Sequence, residues 1–193
     1  LHGDAEVGQA SQRLGGVEAN VERHHAWLGE ARAHGAQLVV FPELGRTGYL
    51  LQDLNSELAM RLDDPRLTAL ARATTGMSTI VSFVEEAGDH RLFIAAALME
   101  DGDIRHVHRK NFLPTYGLFD ERRFFAAGSQ IRAVPSRLGG GLGIAICEDF
   151  WPLSMDQLLA LDGAPILIHV SSSPGRDVAA VTAGGLAPGN SGR

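Results

Sequence analysis

Apolar residues recur at helical spacing in the first part of the chain. Val17, Val21, Leu28 and Ala31 fall on one side of a helix among Glu and Arg, and Gly35 stands where that helix would stop, so the pattern predicts a surface helix over 17–33. The period then changes. Leu38-Val39-Val40-Phe41 is a short continuous apolar run, which suits a strand covered on both faces, and Pro42 ends its ladder, so Glu43 is expected just beyond a buried strand. A second helix is expected over 65–73, and strands over 79–84 and 92–99. Asp101-Gly102-Asp103 is turn chemistry that joins the latter to 104–108 as a hairpin, with Arg109 and Lys110 following its second strand. Residues 111–128 carry Pro114, Gly117 and four phenylalanines with no clean period, and read as a long structured loop of the kind that serves a site. Another apolar strand over 142–146 runs into Cys147-Glu148-Asp149-Phe150-Trp151-Pro152, and a helix over 153–161 has Pro152 suited to its first turn. Residues 164–170 read as a further buried strand, ended by Ser171-Ser172-Ser173-Pro174-Gly175. Alternating helices and strands with one hairpin argue for an α/β layered fold with a mixed sheet.

Composition narrows the function classes. A chain of 193 residues with 45% hydrophobic and 21% charged residues is expected as one globular domain, neither disordered nor membrane-inserted, and no apolar run reaches the roughly 18 residues a membrane span needs. The 17 basic and 23 acidic side chains give −6, which offers no field to gather phosphates, so nucleic acid is not an expected partner. The single cysteine excludes an intramolecular disulfide framework, and Leu1-His2-Gly3-Asp4 lacks the features of a secretory signal; a reducing cytoplasm is the expected compartment. Eight histidines, including His24-His25 and His106-Val107-His108, raise a rival of another class, a non-catalytic metal-binding or regulatory module. No Cys, Asp or Glu completes a ligand set near His106 and His108, so these are read as surface imidazoles and no metal is expected. The sole lysine lies outside any Walker A sequence, and Gly139-Gly140-Gly141-Leu142-Gly143 does not match the dinucleotide fingerprint, so no cofactor is expected either.

Three residues at strand ends could carry chemistry. Cys147 sits at a strand-to-helix turn, where backbone N–H groups and the helix dipole would favour the thiolate, although a lone cysteine also suits an inert buried position. Lys110 is the only lysine in a chain whose other basic residues are arginines; it is either a solubilising surface charge or a compact ammonium offered to a developing oxyanion. Glu43 is either a solvated loop carboxylate or a partly desolvated acid with its pKa raised toward the range useful for proton transfer.

These positions lie in three blocks: Leu38-Val39-Val40-Phe41-Pro42-Glu43-Leu44 with Gly48-Tyr49; His108-Arg109-Lys110-Asn111-Phe112-Leu113-Pro114; and Gly143-Ile144-Ala145-Ile146-Cys147-Glu148-Asp149 with Trp151. In order and spacing they resemble the carbon–nitrogen hydrolase (nitrilase) superfamily. A closer likeness is to the glutaminase domain of glutamine-dependent NAD synthetases, through residues 113–125 and 48–54. The resemblance implies a four-layer α-β-β-α sandwich and a catalytic set of Glu43, Lys110 and Cys147, with Glu121 matching a second glutamate that holds the lysine. It further implies cleavage of a small amide to acid and ammonia through a Cys147 thioester, with the backbone N–H of Glu148 in the oxyanion site. Tyr116, Ser172 and Ser173 are candidates for holding an amino-acid amide such as glutamine; Tyr116 could equally pack the loop, and the serines could form a plain turn. A nitrilase, carbamoylase or ω-amidase with the same set is the alternative within enzymes. The expected partners are a small-molecule amide, further copies in a homodimer or larger homo-oligomer, and a synthetase that could receive the ammonia. The chain stops before the strands that complete the family's sandwich, so residues 1–193 are expected to form one domain incomplete at its C-terminus, as a fragment or as a standalone amidase missing its last part.

Overall fold

In a computed structural model, residues 17–44, 55–117 and 119–172 are described; Gly48-Tyr49, residues 50–54 and Ser173 lie outside them. The elements run α1 (Val17–Ala33), β1 (Leu38–Val40), α2 (Asn55–Leu58), α3 (Pro65–Arg72), β2 (Ser78–Glu86), β3 (Leu92–Glu100), β4 (Asp103–Arg109), α4 (Glu121–Phe124), β5 (Val134–Ser136), β6 (Gly140–Ile146), a 3-10 turn (Cys147–Phe150), α5 (Leu153–Leu161) and β7 (Ile166–Val170).

The strands form two mixed sheets where the apolar pattern predicts one. In the first, ordered β1-β2-β3-β4, β1 pairs parallel with β2 and the others pair antiparallel; in the second, ordered β5-β6-β7, β6 pairs antiparallel with β5 and parallel with β7. Period-2 alternation explains how they stack. From β2 and β3, Val81, Phe83, Ala95, Ala97 and Met99 face outward onto Leu28 of α1 and Leu67, Leu70 and Ala71 of α3. The intervening Ile80, Val84, Ile94, Ala96 and Leu98 face inward and meet Leu142, Ile144, Ile146 and Val170 of the second sheet. On that sheet's other face Ala145 packs against Met155 and Leu159 of α5. The layers therefore run helix, sheet, sheet, helix, the arrangement the resemblance implies. Among the described residues no helix is long and apolar enough to cross a membrane.

Two strands differ from their sequence reading. Val40 is 39% exposed and Leu167 40% exposed, so neither β1 nor β7 is covered on both faces. Both stand at the end of a strand order, each with one paired neighbour, whereas β2 and β3 sit beneath α1 and α3 and are buried almost throughout. The expected loop over 111–128 contains one helical turn, α4, and the residues from Cys147 onward form a tight turn before α5.

Candidate active site

Three strand ends and one short helix deliver the ionisable residues. Glu43 follows β1, whose exit is pinned by the Phe41 N–H donating to the Ile80 carbonyl at 2.9 Å. Lys110 follows β4: its N–H donates to Ile94 O and its carbonyl accepts from Gly128 N–H, both at 2.8 Å. A Cβ on Gly128 would stand 2.2 Å from the Arg109 carbonyl oxygen, so only glycine permits this approach. Arg109 faces away from Lys110, as alternation requires, and makes a bidentate pair of 2.7 Å bonds with buried Glu85, fixing the strand end that carries the lysine.

Glu43, Lys110 and Glu121 are buried together between the sheets. Lys110 Nζ donates to Glu43 Oε1 at 2.7 Å and to Glu121 Oε1 at 2.8 Å. An ammonium has three donors, and two are committed here. Burial, the largest influence, pushes the Glu43 carboxyl above its ordinary pKa, against the pull of Lys110. For Lys110 burial acts to lower the pKa, but the charges and hydrogen bonds of Glu43 and Glu121 outweigh it and keep the ammonium charged.

Cys147 joins this group through an unusual backbone. Strict alternation along β6 would send its side chain to the α5 face with Ala145, but Cys147 has φ +47°, in the left-handed region, and its sulfur packs with the inter-sheet cluster. Such a conformation costs a non-glycine residue about 1–2 kcal/mol, and strain of this kind persists where the surroundings over-determine it. The thiol lies beside Glu43 and Ser171. Burial, followed by the charge of Glu43, pushes it up to about 11 against the pull of Lys110. This corrects the expectation of a thiolate favoured by a helix dipole: the element after Cys147 is a single 3-10 turn, too short to offset burial and a neighbouring carboxylate. At neutral pH the thiol is therefore protonated, with the Glu43 carboxylate beside it.

Asp149, absent from the sequence-based set, ties the lysine to the cysteine. Its buried Oδ1 accepts from the N–H groups of Asn111 and Phe112, each at 2.9 Å, just after Lys110. Its Oδ2 accepts from Ile146 N–H at 3.1 Å, just before Cys147, and pairs with His108 Nε2 at 2.8 Å. His108 is therefore a buried partner of Asp149 and not a surface imidazole, and His24 is buried as well. Among the described residues, no group of three or more His, Cys, Asp or Glu is placed to hold a metal ion.

The remaining candidates lie at the rim. Tyr116 is 58% exposed, stands edge-on to Phe119, and donates its hydroxyl to Glu148 Oε2 at 2.8 Å. Ser172 is half-buried at the end of β7, and the serine in contact with the thiol is its neighbour Ser171.

The family model for carbon-nitrogen hydrolase matches residues 5–187. The chain is 35% identical to the glutamine-dependent NAD(+) synthetase of Thermotoga maritima over 174 residues, covering 87% of this chain and 30% of that protein. It superimposes on the glutamine-dependent NAD+ synthetase of Acinetobacter baumannii with a TM-score of 0.76 at 30% identity, over 86% of this chain and 31% of the other. A variant of the amidase from Nesterenkonia sp. AN1, with acrylamide joined to its active-site cysteine by Michael addition, aligns with a TM-score of 0.75 at 25% identity, over 89% and 67% of the two chains. The chain thus spans about a third of the length of the synthetases it matches.

Proposed function

Because the chain belongs to the carbon–nitrogen hydrolase family, we propose that it hydrolyses a small non-peptide amide at Cys147 through a thioester. The observation that carries this reading is the burial of Glu43, Lys110 and Glu121 in one hydrogen-bonded group beside the Cys147 thiol. Sγ attacks the amide carbon as Glu43 takes the thiol proton, forming the C–S bond and a tetrahedral oxyanion. The third donor of Lys110 and the backbone N–H of Glu148 stabilise that oxyanion. Glu43 returns the proton to the departing nitrogen, the C–N bond breaks, and ammonia leaves. Glu43 then takes a proton from water as the water oxygen attacks the thioester, and returns it to sulfur as acid is released. Glu121 touches no reacting atom; it holds the ammonium and keeps it charged.

Glutamine is the substrate proposed. The Glu148 carboxylate, held by Tyr116, places negative charge at the rim beside the nucleophile, where it suits the α-ammonium of an amino-acid amide. The likeness to glutamine-dependent synthetases supports the same substrate, and with it delivery of ammonia to a synthetase partner. Ammonia release from glutamine, compared with a panel of simple amides, nitriles and carbamoyl amino acids, tests this choice. Glutamine should give the highest kcat/KM, and Cys147→Ala should abolish release from it. Preference for a nitrile or carbamoyl substrate would overturn the assignment of glutamine, and turnover by Cys147→Ala would overturn the mechanism.

A further inference from the structure

His169 lies on β7, in register with Ala145 of β6, and presents its ring to the turn that begins at Cys147. Its Nε2 is 3.1 Å from the Cys147 carbonyl oxygen, and its ring stacks on Phe150 of the same turn with centroids 4.6 Å apart and planes 14° from parallel. The carbonyl it grips belongs to the same peptide unit as the Glu148 N–H. That unit is planar, with C=O and N–H pointing in opposite directions, so a donor that fixes the oxygen also fixes the direction of the N–H.

We infer that His169 is a positioning residue for the oxyanion site, holding the Cys147–Glu148 peptide by its carbonyl so that the Glu148 N–H stays aimed at the reacting oxygen. The inference deepens the proposed function and rests on its assignment of Glu148 N–H to the oxyanion. Two effects follow from the geometry. The bond opposes rotation of a peptide whose first residue is strained at φ +47°. It also polarises the amide, and a hydrogen bond accepted at C=O strengthens the one donated by N–H by about 10–30%. Donation by Nε2 requires the proton on that nitrogen, and the face-to-face stack on Phe150 sets the ring plane that aims it.

The test separates a step that needs the oxyanion site from one that does not. Hydrolysis of glutamine develops charge on the carbonyl oxygen, whereas alkylation of Cys147 by iodoacetamide is a displacement at saturated carbon and develops none there. His169→Phe keeps a ring on Phe150 and removes the N–H; His169→Gln restores a side-chain N–H. Removing a direct oxyanion donor costs about 10²–10³ in kcat, and removing its positioner should cost about 10–10². Alkylation in the Phe variant should stay within about twofold of the parent, and the Gln variant should recover most of kcat. Loss of both reactions in proportion, loss of neither, or failure of Gln to rescue would each overturn the role. Should His169→Phe not fold, His169→Met also lacks the N–H and carries the comparison. Glutamine turnover surviving in Cys147→Ala would instead remove the underlying mechanism, so the two failures are distinguishable.

Discussion

Asp149→Asn perturbs both halves of the site at once. The native carboxylate is fully buried; Oδ1 serves Asn111 and Phe112, and Oδ2 serves Ile146 and His108. Asparagine keeps the shape but has one acceptor oxygen where aspartate has two. With its oxygen in the place of Oδ1, it retains the bonds that pin the chain after Lys110, but turns an NH2 toward the Ile146 N–H and leaves that donor unpaired. An orphaned buried donor costs about 1–3 kcal/mol, and losing the charge on the retained bonds adds about 1 more, for a total of roughly 2–4 kcal/mol. The opposite rotamer orphans two backbone donors and costs more, so this figure is a floor. Asp149→Ala orphans three backbone donors at a cost of roughly 3–9 kcal/mol, comparable to the whole stability of a domain at about 5–15 kcal/mol, and should not accumulate in folded form. Equilibrium urea unfolding of the Asn variant measures the difference, and kcat for the proposed amide hydrolysis on the folded fraction should fall with it, since the carboxylate fixes Lys110 relative to Cys147. A change below about 0.5 kcal/mol, the size of an ordinary surface substitution, would refute the reasoning.

Lys110→Arg preserves charge but substitutes a planar fork for a compact ammonium in a sealed pocket between two carboxylates; kcat should fall at least about 10²-fold, and near-normal turnover would argue against a fitted oxyanion contact. Gly128→Ala drives a methyl against the Arg109 carbonyl, so thermal stability and kcat should fall together, and an unchanged melting temperature would show that the approach is not as close as described. With the Cys147 thiol raised to about 11, iodoacetamide alkylation should climb about tenfold per pH unit above neutrality and level off only near that value; a plateau by about pH 8 would show a resting thiolate. The same shift weakens folding at high pH. The unfolded thiol releases its proton first, so stability declines as pH rises through the interval between the ordinary cysteine value and about 11.

Much of the architecture was legible because burial and period coincide where helices cover strands. β2, β3 and β6 read as strands from their apolar runs, and the hairpin from Asp101-Gly102-Asp103. Glu43 and Cys147 were legible because each follows such a run, Lys110 because it follows the hairpin's second strand, and Glu121 only through the resemblance. Periodicity could not divide the strands between two sheets, because pairing partners are chosen in space. The roles of Asp149, His169 and Ser171 are of the same kind. Asp149 meets Asn111 and Phe112 across 38 and 37 residues, and His169 meets the Cys147 carbonyl across 22. Within the sequence, each is only a polar residue beside a strand or turn. The state of the cysteine was misread for a related reason: the local turn argued for a thiolate, whereas Glu43, brought from a different strand, and burial decide the outcome.

Mass spectrometry of enzyme quenched in acid during turnover of glutamine tests the central chemistry most directly. The peptide carrying Cys147 should gain the mass of a γ-glutamyl group, and the adduct should accumulate further when Glu43→Gln slows hydrolysis of the thioester. Turnover with no adduct on Cys147, or an acyl group found on another residue, would contradict the account.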